Sequence, residues 1–145
     1  HDRVVPFREM EYTVPAELGP ACLKEILATI VEKNIPVIFP IEYRYTKKDD
    51  IWLSMFSQQD GCSISIHQFA DEDFVEYFAQ IEPILRKYNG RPHWGKLHTL
   101  GPQELSDLYP HWQDFLAMRE SIDPNQQLVN SHLAQIFGLG ELTNA

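Results

Sequence analysis

Cys62-Ser63-Ile64-Ser65-Ile66-His67-Gln68-Phe69 alternates through its centre, with Ile64 and Ile66 on one side and Ser63, Ser65 and His67 on the other. Successive side chains of a strand point to opposite faces. The stretch therefore reads as a strand with one apolar and one polar face, entered through the turn at Asp60-Gly61. Upstream, Phe7 to Val14 repeats the pattern: Met10, Tyr12 and Val14 oppose Glu9, Glu11 and Thr13, and Pro15 closes the run. A third alternation runs from Val37 to Thr46. Val37, Phe39, Ile41, Tyr43 and Tyr45 interleave with Ile38, Pro40, Glu42, Arg44 and Thr46. Pro40 marks an edge or a bulge. Lys47 to Asp50 forms a solvated turn, and Ile51 to Phe56 is expected to return as a strand.

Between these runs the period changes. From Gly19-Pro20, the residues Leu23, Ile26, Leu27, Ile30 and Val31 fall on one stripe, and the helix stops near Asn34, before Pro36. Asp71 is expected to cap a second helix that buries Phe74, Tyr77, Phe78, Ile81, Leu85 and Tyr88, kinks at Pro83 and ends at Asn89-Gly90. Short helices then open at Pro102, with Leu105 and Leu108, and at Pro110, with Trp112, Phe115, Leu116 and Met118. Asp123-Pro124 breaks the second. Asn130 or Ser131 caps a last turn, Leu133 to Phe137, ended by Gly138, and the tail beyond Gly140 is expected to fray. The order implies an α+β fold: an antiparallel β-sheet with helices packed on one face.

At 145 residues the chain is read as one domain, residues 1–145, with 43% hydrophobic and 23% charged residues. A net charge of −9 argues against a nucleic-acid partner. No apolar run is long enough to span a bilayer, so membrane association is not expected from this chain. Cys22 and Cys62 have no metal-site spacing and read as buried thiols of a reducing compartment, the cytoplasm. The chain opens at His1 without a visible secretory signal, so an N-terminal portion is expected to be missing. The six histidines form no HExxH or facial-triad spacing, and no metal site is expected. Gly138-Leu139-Gly140 follows a helix and lacks a third glycine, so it is not a phosphate-binding loop.

Two features carry chemistry. The polar sheet face gathers Glu9, Glu11, Glu42, Arg44, Ser63, Ser65 and His67, with Ile38 and Phe69 mixed in. It is either a solvated face, with a Glu42–Arg44 pair worth under about 1 kcal/mol, or a surface lying against a ligand or another domain. The second feature is Gly90-Arg91-Pro92-His93-Trp94-Gly95-Lys96, a segment stiffened by Pro92 that presents an aromatic and an amine side by side. It reads either as a structural turn with a buried Trp or as a functional loop.

Arg91-Pro92-His93-Trp94-Gly95-Lys96 resembles the HWGK motif of the aldonolactone oxidase and alditol oxidase group, flavoproteins similar in fold to vanillyl-alcohol oxidase. Glu42-Tyr43-Arg44 resembles that group's E-x-R strand, and Ile64-Ser65-Ile66-His67 its histidine strand. Tyr109 to Phe115, Arg119, Asp123-Pro124, Asn130 and Leu133 to Gly138 resemble its C-terminal signature.

The resemblance implies a C-terminal substrate-binding or cap domain whose polar sheet face turns toward a missing N-terminal FAD-binding domain, which holds most of the FAD. It implies oxidation of a sugar-1,4-lactone or polyol, with O2 as acceptor giving H2O2. By the same resemblance, Glu42, Arg44, His67 and Lys96 line the catalytic pocket, and Lys96, His93 and Trp94 lie on the cofactor side. The implied partners are the lactone or polyol and the protein's own N-terminal FAD-binding domain. The alternative from a different class is a non-catalytic α+β ligand-binding or regulatory module.

Overall fold

The computed structural model describes residues 6–139. Strand β1 (Phe7–Pro15) leads through a single 3-10 turn, Ala16–Leu18, into helix α1 (Gly19–Glu32). Strands β2 (Glu42–Thr46) and β3 (Gly61–Phe69) follow, then helix α2 (Phe74–Lys87) and a two-residue strand β4 (Arg91–Pro92). Three short helices complete the fold: α3 (Pro102–Leu108), α4 (Trp112–Ile122) and α5 (Ser131–Phe137). The sheet order is β2-β3-β1-β4, with every pairing antiparallel. The fold is α+β, as the patterning predicts.

Met10, Tyr12 and Val14 of β1 and Cys62, Ile64 and Ile66 of β3 are buried against Cys22 and Ile26 of α1 and Tyr77, Phe78, Ile81 and Leu85 of α2. Each such aliphatic burial contributes on the order of 1.5–3 kcal/mol. Both cysteines are buried and unbridged, and burial pushes the Cys22 thiol up to about 12. Helices α1 and α2 thus cover one sheet face. Helices α3 to α5 gather at the β4 end, around Trp94, Tyr109, Trp112 and Phe137.

Several expectations are corrected. Ile51 to Phe56 forms turns instead of a strand. The Asp49 carboxylate accepts from the Ile51 N–H and the Ser54 hydroxyl, and Ser54 Oγ accepts from the Phe56 N–H. These local bonds satisfy the backbone that a ladder would otherwise use. The third run pairs only from Glu42, because Pro36 and Pro40 supply no ladder N–H. Alternation is lost across that break, and the Phe39 ring packs against Phe69 and His67, opposite to its expected face. The cap of α2 is Asp73 rather than Asp71, its carboxylate accepting from the Glu76 N–H at 3.0 Å. Helix α2 continues through Pro83, and α4 starts at Trp112, two residues beyond Pro110. Asn130 caps α5, and Gly138 ends it at φ 66°. The tail beyond Gly140 lies outside the described residues.

Gly90 shows why α2 must stop where it does. Its N–H returns to the Leu85 carbonyl at 3.0 Å, and a Cβ there would meet that carbonyl at 2.6 Å. The chain then lies alongside β1 as β4, a two-residue edge strand where the sequence predicts a loop. Among the described residues, no helix is long and apolar enough to cross a membrane.

Candidate active-site face

Register decides which polar side chains meet. Glu9 stands opposite His67, Glu11 opposite Ser65, and Thr13 opposite Ser63. Across β3, Glu42 pairs with Ser65 and Arg44 with Ser63. Glu9, Glu11, Glu42, Arg44, Ser63, Ser65 and His67 therefore share the face turned away from α1 and α2. Glu11, Ser63, Ser65 and His67 are buried there. Phe7 and Phe39 pack on His67 at one end. At the other end Phe56 crowds Gly61, where an added Cβ would lie 2.4 Å from Thr13 Cγ2 and 2.7 Å from the Phe56 ring.

The remaining cation arrives from the edge strand. After β4, the His93 N–H donates to the Glu11 carbonyl at 2.9 Å and the Leu97 N–H to the Glu9 carbonyl at 3.0 Å. Simple continuation of the β4 register would bring residue 95, not Leu97, opposite Glu9. His93-Trp94-Gly95-Lys96 is thus a turn with two residues looped out of the ladder, closed by Lys96 N–H to the His93 carbonyl at 3.0 Å. His93 Nδ1 accepts from the Gly95 N–H at 3.0 Å. Trp94 stacks on Trp112, with centroids 6.2 Å apart, and donates its indole N–H to the Leu53 carbonyl at 2.8 Å. Arg91 braces the same corner. Its guanidinium donates to the Ser57 and Leu108 carbonyls and lies over the Tyr109 ring at 5.2 Å.

So held, the Lys96 ammonium donates to Glu9 Oε2. Ser65 Oγ donates to Glu9 Oε1 at 2.7 Å, and His67 Nε2 lies 3.3 Å from the same oxygen. Burial acts to raise the Glu9 pKa. Hydrogen bonds from Lys96 and Ser65, with the charge of Lys96, outweigh it and hold the carboxyl below its ordinary value. A second group forms on Arg44, which donates to Glu11 at 2.9 Å and pairs with the Glu42 carboxylate at 3.0 Å. The four residues expected to be catalytic therefore lie on one face but in two networks: His67 and Lys96 join through Glu9, and Glu42 and Arg44 join with Glu11.

A cleft of about 500 Å³ opens beside the first network, lined by Phe7, Arg8, Glu9, Trp94, Lys96 and His132 among others. Of the residues expected on the cofactor side, Lys96 and Trp94 line it, whereas His93 stabilises the turn behind them. Glu9, Arg8 and His132 were not singled out as site residues from sequence. The alternation places Glu9 on the polar face, but only the strand register puts it between His67 and Lys96. Among the described residues, no group of three or more His, Cys, Asp or Glu is placed to hold a metal ion.

A family model described as D-arabinono-1,4-lactone oxidase matches residues 1–136. The chain belongs to the D-arabinono-1,4-lactone oxidase family. Among similar proteins, an L-gulono-1,4-lactone dehydrogenase of Mycobacterium tuberculosis is 38% identical over 136 residues, 94% of this chain and 32% of the relative. An L-gulonolactone oxidase of Bos taurus is 34% identical over 133 residues, 88% of this chain and 30% of the relative. An alditol oxidase of Streptomyces is 28% identical over 149 residues, covering 94% and 36%. The chain spans about a third of the length of these relatives. Membership of the D-arabinono-1,4-lactone oxidase family thus agrees with the resemblance first carried by the E-x-R strand, the histidine strand and HWGK.

Proposed function

We propose that residues 1–145 are the C-terminal substrate-binding domain of an FAD-dependent oxidoreductase that oxidises a CH–OH group of a sugar-1,4-lactone or a polyol. The observation that carries this reading is the meeting of His67 and Lys96 on Glu9 at the wall of the cleft, with Arg44 and Glu42 on the same face. The relatives are named for lactone and alditol oxidation, and their greater length leaves room for a separate domain that holds most of the FAD.

The donor set fits the polar edge of a flavin ring. Lys96 and His132 bring cationic or N–H groups to a cleft whose other walls include Phe7 and Trp94, a mixture suited to a flat, electron-accepting heterocycle with a polar edge. Lys96 and Trp94 would flank that ring, with His93 shaping the turn. The chemistry a bound flavin supplies is acceptance of a hydride from the carbinol carbon. The substrate loses two electrons and two protons to become a carbonyl compound, and O2 gains them to become H2O2.

The protein's share is orientation and charge. Arg44 and Lys96 stabilise the oxygen as its proton leaves. Glu42, half exposed beside Arg44, accepts from a sugar hydroxyl and steadies the guanidinium. His67 orients the substrate and helps to hold the hydroxyl proton. Expression of the full reading frame tests the proposal. A yellow protein whose visible band bleaches anaerobically with a sugar lactone or polyol, and which forms peroxide in air, supports it. A full-length protein that binds no flavin overturns it and favours a ligand-binding module.

A further inference from the structure

We propose that Glu9 is the positioning residue of this site, its one carboxylate, at the wall of the cleft, fixing both the Lys96 ammonium and the His67 imidazole. The inference deepens the proposed function and rests on it. Strand β1 lies between β3, which carries His67, and the β4 edge, which leads to Lys96. Glu9 reaches across both sides: Oε2 accepts from Lys96, and Oε1 accepts from Ser65 and faces His67. Its own backbone carbonyl anchors Leu97, the residue after Lys96. Side chain and main chain of one residue therefore set where the end of the HWGK turn sits.

The burial pattern separates this arrangement from an ordinary surface pair. The Glu9 side chain is 12% exposed, whereas that of Lys96 is 30% exposed and lines the cleft. A free lysine at the mouth of a cleft would extend into water, with its rotamer freedom intact. A mostly covered acceptor behind it keeps the ammonium at one place and leaves its other two N–H donors for a ligand. The Ser65 hydroxyl, fully buried, has the carboxylate as its hydrogen-bond acceptor and fixes its orientation. For His67, a carboxylate beside Nε2 selects the tautomer with its proton on that nitrogen, leaving Nδ1 without a hydrogen.

The test uses the full-length flavoprotein with Glu9→Gln, Lys96→Met and the double variant. Gln keeps the shape and the Ser65 contact but removes the charge. The expected result is flavin reduction slowed about 10²-fold, the loss typical of a reacting group misplaced by about an ångström. The double variant should be no slower than Lys96→Met alone, because residues that act as a unit are not additive. Independently, ¹⁵N spectra of the wild-type protein should show His67 protonated on Nε2, with that preference lost in Glu9→Gln. Glu9→Asp, which withdraws the carboxylate by one methylene, should move rate and spectrum in the same direction if Glu9→Gln does not fold. Multiplicative losses in the double variant, or an unchanged rate and unchanged His67 tautomer in Glu9→Gln, would overturn the inference. Should the full-length protein hold no flavin, the proposed function fails, and the ¹⁵N readout alone decides the role of Glu9.

Discussion

Glu9 and Lys96 lie 87 positions apart in the chain and meet as a carboxylate–ammonium pair at the wall of the cleft. The carboxylate keeps Ser65 and His67 as neighbours whether or not the lysine is present. Removing the cation therefore leaves no isolated buried charge.

Lys96→Met in the full-length enzyme is accordingly expected to leave folding intact. Loss of one preorganised charge beside a developing anion costs about 10²–10³ in rate. Stopped-flow reduction by substrate should slow to that degree while the melting temperature hardly moves. A rate near wild type would remove Lys96 from the catalytic set.

Arg44 serves two carboxylates at once, Glu11 through Nη2 and Glu42 through Nη1. A lysine keeps the charge but lacks the planar fork that reaches both. Arg44→Lys should therefore weaken substrate binding about tenfold or more, in line with about 1.5–3 kcal/mol for a charge-assisted hydrogen bond. The change should appear in kcat as well as in KM, because Arg44 also stabilises the oxygen as its proton leaves, and a change in KM alone would confine Arg44 to substrate binding.

The acid limb of stability should report Glu9. Its folded-state pKa lies below the ordinary 4.5, so the folded state binds fewer protons there than the unfolded chain. The associated stability is present above 4.5 and is lost as pH falls through the lower folded-state value. The groups facing this carboxylate are Ser65 and His67 from β3 and Lys96 from the turn, while Arg8 and His132 share the cleft wall. Denaturation midpoints measured between pH 6 and pH 3 should fall less steeply for Glu9→Gln than for wild type. Parallel curves would mean that Glu9 does not couple to folding.

On the opposite face, Tyr12 donates to Glu82 at 2.5 Å, and the Thr99 N–H and hydroxyl each donate to that carboxylate at 2.7 Å. Glu82 is buried and tied to β1 and to the chain that follows HWGK. Tyr12→Phe removes one donor from a buried carboxylate and should destabilise the protein by about 1–3 kcal/mol. Urea denaturation would read this directly, and a change below about 0.5 kcal/mol would show that the remaining donors suffice.

The alternation of Glu9 to Val14 and of Ser63 to His67 made β1 and β3 legible, because one face of each strand is buried and each position has only two choices of side. Helix α2 was legible from its stripe, whereas in α1 Leu27 and Val31 of the expected stripe are exposed and Cys22 is buried beside Ile26 instead. Pattern and structure part where local bonds or missing N–H groups override the alternation, at Asp49 to Ser57 and around Pro40. Strand β4 was hidden because two residues carry no period; its existence depends on Tyr12 and Thr13 offering a free edge. Glu9 was visible as a polar-face residue, but its place between His67 and Lys96 depends on two pairings that no single strand encodes. His132 reaches the cleft through tertiary packing alone.

The turn His93-Trp94-Gly95-Lys96 is fastened at three points: to the Glu11 carbonyl before it, to the Glu9 carbonyl after it, and through Trp94 to the Leu53 carbonyl and the aromatic stack. Its length is consequently a ruler. Most surface connections absorb an inserted residue with little consequence. Here a single insertion would have to break one of the three fastenings or carry the amine away from Glu9. Homologues should therefore keep the spacing from His93 to Leu97, even where the residues between them change.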